Sequence, residues 1–310
     1  MRSPLGALVA QMCALSLVIV TGCKDDEKRG TPSAPSTGLA SANSVVAPPP
    51  SAPMNVTPLP SASVAIMLGA DKLPPYAGPT GSVEGTITVT GDVAPTVNGD
   101  FSKCPAAARA YGRLFREGPD VDGGGRALPN ALVGVTGYSG FYVPERNEAR
   151  KVTIEDCALT PRTIDLTFGQ RLEISNKTDL LFAPQLEGAF SPALMIAPPK
   201  GDAVRLYPQK PGYFSLIDKL GNDYLRGDVY VLLHPLHTVS GLDGHYRIDG
   251  LPVGKVTVFT RLKVIGETAK PLEVLAGVVS RVDLTLTYGR DAGTAAKGAP
   301  TASQSGGQLR

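Results

Sequence analysis

From Gly81 to Tyr288 apolar residues fall at every second position in about a dozen short runs. The runs are Val83 to Thr90, Ala131 to Thr136, Lys151 to Glu155, Thr163 to Phe168, Arg171 to Asn176, Ala203 to Tyr207, Gly212 to Asp218, Asp228 to Leu233, His237 to Ser240, His245 to Ile248, Val256 to Leu262, Pro271 to Val274 and Val278 to Thr287. A period of two sends successive side chains to opposite faces, so each run predicts a strand with one face on a core and the other in water. Gly, Pro, Asn and Asp punctuate the gaps, most plainly at Asp243-Gly244, where a hairpin turn is expected. Short strands at this spacing predict an all-β chain of one or two sandwiches. One or two helical turns are expected at Ala106 to Phe115, where Pro105 suits the first turn and Ala and Leu favour helix.

The flanks read differently. Met1-Arg2 precede an apolar run from Leu5 to Val20, and Val20-Thr21-Gly22-Cys23 leads straight into Lys24-Asp25-Asp26-Glu27-Lys28-Arg29. A positive start, an apolar core and small residues before a cut describe a secretory signal over residues 1–22. The alternative is an uncleaved membrane helix of about 18 residues. The ending in small residues and a Cys resembles the bacterial lipoprotein lipobox, which implies that Cys23 is acylated and becomes the mature N-terminus. Each buried methylene of an acyl chain contributes about 0.8 kcal/mol, so two or more chains would hold the protein on a membrane. Lys24 after the Cys, by the enteric-type sorting rule, implies the outer membrane of the cell envelope. Residues 23–79 form a Pro/Ala/Ser-rich tether, with Pro48-Pro49-Pro50 and Pro58-Leu59-Pro60, expected to span roughly 40 Å as a coil. Within it the apolar patch Val64-Ala65-Ile66-Met67-Leu68 offers an alternative, docking on the folded part. Residues 290–310 are a Gly/Ala/Ser/Gln tail expected to fray.

Composition adds a constraint on partners. A formal charge of +2 over 310 residues gives no dense Lys/Arg footprint, so nucleic acid is excluded as a partner and acidic polymers are disfavoured. Gly (35 residues) and Pro (28) are abundant and Trp is absent, which removes the usual platform for stacking on sugars.

Two stretches resemble known families. Gly81 to Val89, Cys104, Leu128 to Val133, Asp156-Cys157 and Asp165-Leu166-Thr167-Phe168-Gly169-Gln170-Arg171-Leu172-Glu173-Ile174-Ser175-Asn176-Lys177-Thr178-Asp179 are together similar to the cupredoxin-like domain of exported bacterial proteins related to methylamine utilisation proteins. His234-Pro235, followed by Gly241-Leu242-Asp243-Gly244-His245-Tyr246-Arg247-Ile248-Asp249-Gly250-Leu251-Pro252-Val253-Gly254, resembles the carboxypeptidase regulatory-like domain, a small transthyretin-like sandwich. The resemblance implies a cupredoxin-like β-sandwich over residues 80–233 and a carboxypeptidase regulatory-like β-domain over 234–289. It also implies where copper would sit, and the ligands are missing there. No His follows Asn176-Lys177-Thr178-Asp179, and the Cys-x-x-His-x-x-Met positions fall near Ile217, Leu220 and Asp223. Blue-copper chemistry needs two imidazoles and a thiolate, so a sandwich without copper or other cofactor is expected.

The remaining chemistry is sparse. With Cys13 in the signal and Cys23 lipidated, Cys104 and Cys157 remain, and two exported thiols usually pair; two separately buried thiols are the alternative. His234 and His237 are weak metal candidates, because residues three apart on a strand point to opposite faces unless Pro235 bends the chain. Asp218, Asp223 and Asp228 lack calcium-loop spacing, and Asp122-Gly123-Gly124-Gly125-Arg126 lacks the Lys-Ser/Thr of a phosphate loop. Aromatics gather at Tyr138, Phe141 and Tyr142 and at Tyr207, Tyr213, Phe214 and Tyr224, as core or as a stacking surface. No catalytic constellation is found, so the expected role is a non-catalytic binding or envelope-scaffold lipoprotein with an unknown protein or glycan partner. The rival readings are a copper-binding or electron-transfer protein and a carbohydrate-binding module.

Overall fold

The computed structural model describes residues 56–289 apart from 190 and 192. The signal, Cys23 and the tail from 290 lie outside the described residues. The elements are α1 (Ser61–Leu68), β1 (Thr80–Gly91), a 3-10 turn at Pro105–Ala107 leading into α2 (Ala108–Tyr111), β2 (Arg126–Ala127), β3 (Leu132–Thr136) and β4 (Ala149–Glu155). They continue with β5 (Ala158–Thr160), β6 (Thr163–Thr167), β7 (Arg171–Asn176), β8 (Pro184–Leu186), β9 (Val204–Leu206), β10 (Gly212–Asp218) and β11 (Arg226–Leu232). The last are β12 (His237–Val239), β13 (His245–Pro252), β14 (Gly254–Leu262), β15 (Gly266–Val274), β16 (Val279–Arg281) and β17 (Leu284–Tyr288).

Four sheets enclose two main cores. Sheets β6-β11-β10-β8 and β5-β4-β7-β9 close over Val152, Ile154, Ile164, Leu166, Leu172, Ile174, Phe182, Leu216 and Val229. The pairs β6–β11 and β4–β7 are parallel and their neighbours antiparallel. The other sandwich is built on β1, which pairs with β13, β16, β17 and β2, and on the sheet β12-β3-β14-β15. Its core is Val83, Ile87, Val89, Leu128, Val133, Val135, Ile248, Val258 and Leu284.

The sheets do not divide at the expected 233/234 boundary. β1 runs antiparallel to β13, with Val83 opposite Ile248, and β3 lies between β12 and β14. Strands from 80–136 and from 237–288 therefore make one sandwich, and β4 to β11 are inserted between them. Alternation shows that a strand is half-buried but not which sheet accepts it, so proximity along the chain assigns β1 and β3 to the wrong sandwich. Two glycines enforce the pairing. A Cβ on Gly85 would stand 2.1 Å from the Val282 carbonyl, where the chain crosses from β16 to β17, and one on Gly244 would stand 2.4 Å from the Ile87 carbonyl.

The folded part starts before the expected tether boundary at 79, and residues 23–55 of that expected tether lie outside the described residues. Helix α1 seats Val64 and Leu68, with Leu59 just before it, on the inserted sandwich, and Val64 approaches Gly169 where a Cβ would meet it at 2.6 Å. Gly69 ends the helix in the left-handed conformation at φ 75°. Tyr76 then anchors the chain, its amide donating to the Tyr142 carbonyl at 2.8 Å. The helix expected at Ala106 to Phe115 is confined to the 3-10 turn and α2, because Gly112 follows Tyr111 and the chain turns toward Pro95.

Candidate functional site

The end of the inserted sandwich that holds the positions the sequence resemblance assigns to copper ligands is held by two polar side chains of the loops themselves. Asp218 closes β10 and is 7% exposed. Its Oδ1 accepts from the Ala183 amide at 2.5 Å, and its Oδ2 accepts from the Leu220 amide at 2.9 Å, the Asn222 amide at 3.1 Å and Asn222 Nδ2 at 2.9 Å. Asn176, at the end of β7, donates to the carbonyls of Leu180 and Ala197 and accepts from the Thr178 amide and hydroxyl. Fully buried Phe182 links the two in the backbone, preceding Ala183 and exchanging amide hydrogen bonds with Ala197. The donor set is a carboxylate already taken up by hydrogen bonds, with no thiolate or imidazole, which does not fit copper. The ligand positions expected near Ile217, Leu220 and Asp223 are thus organised by Asp218, one residue from the first of them. Among the described residues, no group of three or more His, Cys, Asp or Glu side chains could hold a metal.

His234 and His237 lie at the other end. Gly212 pairs with Val231 while Asp218 is six residues further along β10, so the imidazoles stand roughly 20 Å from Asp218 at the rise of a strand. The chain bends at Pro235, the exception to opposite faces that the sequence allows, and the two ring centroids lie 6.3 Å apart. His237 has both nitrogens engaged: Nδ1 is 2.8 Å from Asp165 Oδ2 and Nε2 is 3.1 Å from Thr167 Oγ1. His234 is 7% exposed and stands edge-on to Tyr138, with Nδ1 buried and unpartnered among the described residues. Burial, reinforced by the charge of His237, pushes its pKa down to about 3.

The Asp165–His237–Thr167 chain has the order of a carboxylate–imidazole–hydroxyl relay. Its hydroxyl is out of reach, however: Thr167 is 1% exposed and donates to Glu145 Oε2 at 2.6 Å. The chain is therefore a tie between sandwiches, reaching from β12 to β6 beside the apolar seam of Leu132, Tyr230, Leu232 and Phe259. Arg150 extends it with an ion pair to Asp165 at 2.7 Å. Burial would raise the Asp165 pKa, but the His237 hydrogen bond and charge, with Arg150, outweigh it and hold the carboxyl below its usual range.

Cys104 and Cys157 form a disulfide across 53 positions, joining the segment before α2 to the turn between β4 and β5. Of the aromatic groups, Phe214 and Tyr224 are core, while Tyr213 is 37% exposed with Lys263 Nζ 4.0 Å from its ring centre. Tyr138 stacks on Phe141 at 5.5 Å between ring centres.

No family model and no curated protein matches the chain. Solved structures similar to part of it include the reduced state of an amicyanin mutant, at 16% identity over 27% of this chain and 81% of that one, with a TM-score of 0.24. Amicyanin from Paracoccus versutus is 18% identical over 29% of this chain and 84% of its own, and the copper-containing nitrite reductase from Thermus scotoductus SA-01 is 20% identical over 33% and 26%; both have a TM-score of 0.24.

Proposed function

We propose that the chain is an exported lipoprotein, anchored through Cys23, whose cupredoxin-like and carboxypeptidase regulatory-like sandwiches form a non-catalytic binding or scaffold module of the cell envelope. The observation that carries the reading is Asp218: the carboxylate that closes β10 satisfies four donors of its own loops, so this end of the sandwich is built as a structural closure. The lipobox residues Val20-Thr21-Gly22-Cys23 support the anchor, and the partner is a protein or a glycan of the envelope.

Copper loading tests this reading. The full chain, incubated with Cu(II) and dialysed, is expected to show no thiolate charge-transfer band and no stoichiometric metal. One tightly held copper per chain, lost when His234 and His237 are replaced by Ala, would favour the electron-transfer reading instead. For the anchor, Cys23→Ser should accumulate unacylated precursor, and a wild-type protein without an acyl chain that retains residues before Cys23 would sink the lipoprotein assignment.

A further inference from the structure

We infer that a cleft between the two sandwiches is a binding site for a small organic phosphate, recognised by four converging arginines. The cleft encloses about 450 Å³, and Arg109, Arg116, Arg150 and Arg162 all line it. They arrive from α2, from the loop after it, from β4 and from the β5–β6 connection. On the other side stand the end of β12 and the β12–β13 connection, with Val239 and Leu242 as apolar wall. Four guanidinium groups face one space against two carboxylates, Glu155 and Asp156, in a chain whose total formal charge is only +2.

The arginines divide into held and free. Arg162 is fixed: it donates to the Ala110 and Leu114 carbonyls at 3.2 and 3.3 Å and lies over the Tyr111 ring. Arg150 is held at one end by Asp165, while its Nε is buried and has no partner among the described residues. Arg109 and Arg116 are exposed, and neither makes a hydrogen bond or ion pair with a described residue. Of the two acids, Glu155 pairs with Lys177 at 3.7 Å. Two fixed cations with two free ones beside them form a fork-shaped donor set for a doubly charged oxyanion, since guanidinium binds phosphate through paired N–H bonds. The volume exceeds what the anion alone needs and lies in the range of small-molecule pockets, which leaves room for an organic body against Val239 and Leu242.

The inference rests on reading the chain as a binding module, and calorimetry on the full chain in detergent at low salt separates the two. The probes are glucose 1-phosphate, inorganic phosphate and glucose. Glucose 1-phosphate is expected to bind more tightly than inorganic phosphate, and glucose not to bind. Replacing both Arg109 and Arg116 by Gln, at exposed positions that make no hydrogen bond or ion pair with a described residue, should weaken glucose 1-phosphate binding at least ~10-fold, the loss expected for one charge-assisted contact. Equal binding by wild type and the double variant, binding of glucose as tight as that of its phosphate, or no heat with any probe at millimolar concentration would overturn the site. Tighter binding of inorganic phosphate than of glucose 1-phosphate would overturn the organic body. NMR of the recovered ligand addresses the parent reading: unchanged sugar phosphate upholds a non-catalytic module, whereas a product would overturn that reading and leave the cleft standing.

Discussion

His237 and Asp165 face each other across the junction of the two sandwiches at 2.8 Å, with side chains 7% and 4% exposed. They are 72 positions apart in the chain. One belongs to the strand that begins the return into the outer sandwich, the other to the inserted sandwich. Asp165 also forms an ion pair with Arg150 at 2.7 Å, and a buried pair that loses one partner leaves the other charge in a poorly solvated place.

Asp165→Asn should therefore destabilise the protein by about 3 to 5 kcal/mol, read from the urea midpoint at constant slope. Arg150 and His237 would both lose the carboxylate that faces them. Because the folded carboxyl has a lowered pKa, its contribution is fully present above the unfolded value of about 3.9 and disappears as pH falls through the lower folded value. A variant as stable as wild type at neutral pH would show that the tie carries no energy.

His234 sets a second acid dependence of opposite chemistry. Its folded pKa is depressed to about 3, so between that value and about 6.5 the unfolded chain binds a proton that the folded one refuses. Stability should fall as pH drops through this window, by an amount on the order of a few kcal/mol. His234→Phe keeps a ring against Tyr138 and should flatten the stability profile between pH about 6.5 and 4 relative to wild type. Parallel profiles for the two proteins would contradict a buried neutral imidazole.

The disulfide closes a loop of 53 positions, which by chain entropy contributes roughly 4 kcal/mol. Replacing both Cys104 and Cys157 by Ala should lower Tm by about 8 to 16 °C for a folded region of this size. Peptide mapping without reductant should recover the two cysteines linked, and two alkylatable thiols in the native protein would refute the pairing.

Local chemistry is legible in the sequence where it depends on neighbours along the chain. The alternation of Val83 to Thr90 or Gly212 to Asp218 marks strands because period two is a property of the segment itself, and Asp243-Gly244 marks its own turn. What stays hidden is set by distant partners. Val83 opposite Ile248 decides which sandwich owns β1, and no spacing rule carries that pairing. Helix α1 is masked by its proline-rich surroundings, although its apolar residues Val64 and Leu68 do raise the docking alternative. Arg109, Arg116, Arg150 and Arg162 look like ordinary surface arginines until β4 is laid beside the β12–β13 connection. Asp218 reads as a solvated loop acid, because nothing in its neighbours announces the donor that Ala183 brings from 35 positions away.

Asp218 gives the sharpest test of why this end of the sandwich differs from a copper site. Asp218→Ala would leave the amides of Ala183, Leu220 and Asn222 without their acceptor, at about 1 to 3 kcal/mol for each donor that stays buried. Asp218→Asn should cost less, because an amide oxygen at the Oδ2 position still serves Leu220 and Asn222 and only the Ala183 amide meets a competing donor. Hydrogen exchange should localise the damage: the amides of Ala183, Leu220 and Asn222 should lose protection together, while those of β4 and β7 on the facing sheet keep theirs. Asp218→Cys supplies a thiolate at the end of β10 but no imidazole, since His234 and His237 stand roughly 20 Å away at its start. That variant should lose stability much as Asp218→Ala does and show no copper–thiolate band after loading with Cu(II). A band in Asp218→Cys would mean that nitrogen ligands lie within reach of this end, and that the loops of Asn176 and Asp218 open to admit a metal.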